Sequence, residues 1–175
     1  SAQPLLVWGG LVLSTSLIIW LLITNTPKGE GGGSWHLLWI LMTLIGGIYQ
    51  YYFNRSWSVP DTIVSRTIGY MWGVFGISVF VLWAINICAI TFGGISVRQI
   101  IPMTPTIILL MGLSVAVTGL MMKRLFISII GAVACAICAY FSLVNQGVNE
   151  LLCVAVTAVF TLIVPGLYLK FSNGR

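Results

Sequence analysis

Charge is what this chain has least of. Only 6% of its 175 residues are Asp, Glu, Lys or Arg, against roughly 25% in a soluble domain, and that shortage excludes a water-soluble monomer. Acids are scarcest: Glu30, Asp61 and Glu150 fall in three different connections. General acid–base chemistry needs a positioned acid and base at one site, so no enzyme is expected. The single histidine, His36, excludes haem held between two histidines of one chain, and it reads as an interfacial polar anchor beside Trp35. Cys135-Ala136-Ile137-Cys138 has metal-pair spacing, but neither a histidine nor a second CxxC completes a zinc set. No cofactor is expected. An initiator methionine, a positive leader and a small-residue cleavage site are also missing, so residues 5–23 do not read as a signal peptide. Ser1-Ala2 reads as a trimmed start, with a polar cytoplasmic tail expected ahead of it.

What is present is apolar. The chain is 59% hydrophobic, with a mean hydropathy of +1.07. Six runs, at about 5–23, 36–53, 63–90, 105–122, 125–144 and 151–169, are long enough to cross a bilayer. A span needs about 20 residues, because ~30 Å of hydrocarbon is covered at 1.5 Å per residue. The connections are too short for a separate soluble domain, so residues 1–175 read as one all-α transmembrane domain, a six-helix bundle. Barrel strands would alternate apolar and polar positions, and these runs do not.

The basic residues are distributed unevenly. Arg55, Arg66, Lys123, Arg124, Lys170 and Arg175 fall on the side shared by both termini, and only Lys28 and Arg98 fall on the other. The positive-inside bias of short loops therefore predicts both termini in the cytoplasm, with the bilayer as the first partner. The net charge of +5 marks the leaflet facing anionic lipid and is not a nucleic-acid signature. Tyr49, Tyr51, Tyr52, Trp57, Tyr70 and Trp72 gather at the inner interface, and Trp20, Trp35, Trp39 and Trp83 near the outer one, where amphipathic rings are favoured.

Local signals divide the runs. Ser58-Val59-Pro60-Asp61 reads as a helix start, with a capping hydroxyl, a first-turn proline and an acid against the positive dipole end. Lys123-Arg124 is a two-residue turn that makes the fourth and fifth spans antiparallel neighbours. Segment 91–104 is expected to lie along the outer surface, with Ile95, Val97, Ile100 and Ile101 towards lipid. Pro165-Gly166 predicts a kink in the last span. Asn25, Asn86 and Asn145 each close an odd-numbered span, and Trp8-Gly9 recurs as Trp72-Gly73. These matches suggest three helical hairpins in parallel.

No Asp, Glu, Lys or Arg lies at the centre of a span, which disfavours proton relays and ion-coupled transport. Small polar residues remain. Ser14, Ser16, Asn86 and Thr118 are candidates either for a polar cavity or for helix packing, and small polar residues commonly serve the latter. Gly112 with Gly119, Gly73 with Gly76, and Gly46-Gly47 are expected to let helices approach. The four cysteines read as small buried apolar residues. Asp61 with Arg55 or Arg66 forms a candidate cytoplasmic docking point.

A resemblance attaches to the last three spans. Leu109-Leu110-Met111-Gly112, Val117-Thr118-Gly119-Leu120-Met121-Met122-Lys123, Ile129-Ile130-Gly131 and Ile163-Val164-Pro165-Gly166-Leu167-Tyr168-Leu169-Lys170 resemble a group of small bacterial inner-membrane proteins of unassigned function. Where that group carries a proline soon after the turn, this chain has Phe126-Ile127-Ser128. The resemblance implies a multi-pass inner-membrane location and a polar N-terminal segment, and brings no catalytic residues with it. Two functions are therefore expected to compete. One is a non-enzymatic interaction or regulatory module that associates with itself or with a membrane protein partner. The other is a small transporter or pore for a neutral or lipophilic solute.

Overall fold

The computed structural model describes residues 3–26, 35, 37–56, 62–94 and 101–172. The regular elements described are all helical: α1 (Gln3–Asn25), α2 (Leu37–Ser56), α3 (Ile63–Thr91), α4 (Met103–Met121), α5 (Leu125–Val144), α6 (Glu150–Ala158), a π-helical turn (Val159–Ile163) and α7 (Val164–Ser172). α6, the π turn and α7 form one continuous rod, so six apolar runs become six rods. Five rods are long and apolar enough to cross a membrane; the apolar stretch of α2, Leu37–Tyr52, is shorter. In hydrocarbon every backbone N–H and C=O must be satisfied within the segment, and a helix does this residue by residue. The surface agrees with such a solvent. Ile63, Tyr70, Ile77 and Leu125 are 84%, 72%, 65% and 66% exposed, far more apolar surface than water tolerates on a monomer.

The chain divides into two compact units, Ser1–Pro60 with Val144–Arg175, and Asp61–Leu143. In the first, α1 packs against α2 on one side and against α6, the π turn and α7 on the other. A Cβ at Gly9 would lie 2.8 Å from Ile163 Cγ1 and 2.9 Å from Leu162 Cβ, and one at Gly166 would lie 2.8 Å from Leu6. These pairs run in opposite directions along the chain, so α1 is antiparallel to the last rod. α2 is held differently. The Trp8 indole lies over Gly46, where a Cβ would come within 2.5 Å of the ring, and its Nε1 donates to Gln50 Oε1 at 3.4 Å.

In the second unit α4 packs on α3 and on α5. Gly112 faces Cys135, Val115 faces Gly131, and Gly119 faces Ser128, an antiparallel register held through the length of the hairpin. The α4–α5 pair crosses the boundary that a three-hairpin repeat would draw. Small residues bring these helices together because lipid tails are as apolar as leucine, leaving close van der Waals contact as the attraction. The expectation for glycines holds in part: Gly47, Gly73 and Gly76 meet nothing within 4 Å. The cysteine expectation also divides, since Cys135 and Cys138 are buried, Cys153 is half-buried and Cys88 is exposed.

Turn chemistry follows from the end groups of α4. Arg124 N–H donates to Gly119 O at 2.8 Å and Lys123 N–H to Leu120 O at 3.0 Å, a Schellman closure with Lys123 at the left-handed position, φ 54°. A side chain there costs about 1 kcal/mol relative to glycine. Lys123→Gly is therefore expected to raise stability by about 1 kcal/mol, read as a higher melting temperature in detergent; an unchanged or lower value would contradict the strained turn. At the other connection Gly147 has φ 115°, and its N–H donates to Glu150 Oε1 at 2.9 Å. That carboxylate reaches back from the first residue of α6 and closes the turn ahead of the helix.

The last rod bends its hydrogen-bond ladder where the sequence predicts trouble. Pro165 has no N–H for the carbonyl of Thr161, and in α geometry its ring would meet that carbonyl. The ladder widens before it, and Val164 N–H donates to Val159 O. The result is a π turn, not an open kink. Residues 95–100, 57–61 and His36 lie outside the described residues, and with them most of the outer surface piece and the Ser58–Asp61 helix start.

Candidate functional site

The four candidate polar residues are distributed over both units. Ser14 and Ser16 lie on α1, two positions apart and so on different faces. Ser16 is fully buried and donates to Val12 O at 2.7 Å, whereas Ser14 is exposed and donates to Leu11 O at 3.1 Å. In the second unit Asn86 and Thr118 are both buried, at 4% exposure each. Asn86 Nδ2 donates to Ile101 O at 3.0 Å, beside the first turn of α4, and Thr118 stands near the last turn of the same helix. Sixteen helical residues separate Thr118 from Pro102, about 24 Å. Asn86 and Thr118 therefore sit at opposite depths of their unit and share no lining.

Four further buried hydroxyls behave as Ser16 does. Thr118 Oγ1 donates to Ser114 O at 2.7 Å, Ser114 to Leu110 O at 3.0 Å, Thr157 to Cys153 O at 2.7 Å and Thr161 to Thr157 O at 2.7 Å. Each spends its proton on the carbonyl one turn back in its own helix. A hydroxyl so engaged presents a small, largely apolar face to its neighbour, which suits close packing in a dry interior. Asn86 is the exception. Its amide ties α3 to the segment leading into α4, satisfying the carbonyl of Ile101 just ahead of that helix. Asn86→Leu is expected to cost about 1–3 kcal/mol, the penalty of leaving that carbonyl unpaired, measured by unfolding in mixed micelles. A loss below about 0.5 kcal/mol would remove Asn86 from this role.

Among the described residues, two buried side-chain polar atoms have no hydrogen-bond partner, Ser142 Oγ on α5 and Trp35 Nε1. Ser142 is fully buried. Sequence reading passed over it because nothing in its spacing sets it apart from the other span serines. The Trp8–Gln50 contact was equally hidden, since 42 residues separate the partners.

Two open furrows mark the described surface. One lies along α2, about 450 Å³, lined by Thr43, Leu44, Gly47, Ile48, Tyr51 and Tyr52. Another runs between α3 and α4, about 280 Å³, with Ile77, Val81, Ile85 and Leu110 on its walls and Ser78 and Thr106 as its polar atoms. Among the described residues no group of three His, Cys, Asp or Glu is close enough to hold a metal ion. Of the docking candidates, Arg66 is exposed on the first turns of α3. Arg55 lies on the last turn of α2, where its side chain is outside the described residues, and Asp61 is outside them altogether. Searches of protein-family models, of curated proteins and of solved structures found no match to this chain.

Proposed function

We propose that the chain is a six-span protein of the bacterial inner membrane, with both termini in the cytoplasm, that works by association and not by catalysis. Its partner is a second copy or another membrane protein. The carrying observation is the state of five buried hydroxyls: Ser16, Ser114, Thr118, Thr157 and Thr161 all bond back to their own helices. A solute path would present such hydroxyls to a lumen. The placement of every Asp, Glu, Lys and Arg at or beyond the ends of the spans supports the same reading, because membrane-buried charges mark ion and proton paths. The resemblance of the last three spans to small bacterial inner-membrane proteins agrees with the location. The topology rests on the six-to-two division of Lys and Arg.

Two measurements test this reading. Cysteines introduced singly at Glu30 and Val148 are expected to react with an impermeant maleimide from outside the cell, and those at Ser56 and Asn173 only after lysis. Labelling of positions 30 and 56 from one side would overturn the topology. Proteoliposomes are expected to swell in glycerol or urea no faster than empty vesicles. Swelling at several times the empty rate would replace association with transport of a neutral solute.

A further inference from the structure

We draw no further inference here: the strongest candidate, the exposed apolar face of α3 beside the furrow it forms with α4, carries nothing because nothing in the structure shows what covers it.

Discussion

Replacing Gly119 with alanine is expected to destabilise the α4–α5 hairpin by about 2–3 kcal/mol. The added Cβ would sit 2.5 Å from the backbone nitrogen of Ser128 and 3.0 Å from its Cα. Backbone cannot rotate aside as a side chain can, so the helices must separate, and overpacking of this kind costs about 1–3 kcal/mol or more. The intrinsic gain of alanine over glycine in a helix, about 1 kcal/mol, offsets only part of it. Gly119 also supplies the carbonyl that accepts Arg124 N–H, so splaying the hairpin loosens its turn as well. Gly10→Ala is the matched control, because nothing lies within 4 Å of a Cβ there; it should be neutral or stabilise by up to about 1 kcal/mol. Reversible unfolding in mixed micelles reads both. A Gly119→Ala protein as stable as wild type would mean that α4 and α5 do not approach this closely.

The second large effect belongs to the contact of α1 with the π turn. A Cβ at Gly9 would meet Leu162 Cβ at 2.9 Å and Ile163 N at 3.3 Å, so Gly9→Ala should cost about 1–3 kcal/mol. Pro165 sets the position of those atoms by forcing the ladder to widen. Pro165→Ala restores an N–H and lets the rod return to α geometry, which turns Leu162 and Ile163 relative to Gly166. The two glycines, Gly9 and Gly166, then no longer face their partners together. A double-mutant cycle of Gly9→Ala and Pro165→Ala should therefore give a coupling of at least about 0.5 kcal/mol, the range for residues sharing a backbone shift. Additive losses would separate the proline from the packing at Gly9.

Much of the fold is legible in the residues alone. The expected runs at 5–23, 63–90 and 125–144 return as Gln3–Asn25, Ile63–Thr91 and Leu125–Val144, because charge and proline mark their ends and hydrocarbon length sets their size. The Lys123-Arg124 turn and the trouble at Pro165 are local chemistry and were readable as such. The form each takes was not. That Lys123 adopts a left-handed backbone depends on the antiparallel seat of α5. That Pro165 produces a π turn depends on neighbours able to accept the widened ladder.

Which polar and small residues matter was less legible. Gly112 and Gly73 look alike in sequence, each a glycine in an apolar run, yet one lies against Cys135 and the other meets nothing. Ser14 and Ser16 differ by two positions, and one is exposed while the other is buried. A span that is apolar on every side carries no periodic signal to mark its inner face, so the usual clue to helix orientation is missing.

By itself the sequence determined the solvent of this protein, the number and length of its apolar helices and the uneven placement of its basic residues. Those depend on composition and on distance along the chain, and bilayer thickness converts them directly into structure. The tertiary structure decided which glycines are contacts, that five buried hydroxyls bond back to their own helices, and that Asn86 and Thr118 sit at depths about 24 Å apart. These depend on rotation of each helix about its axis, which is set by close packing between rods and leaves no trace in hydropathy.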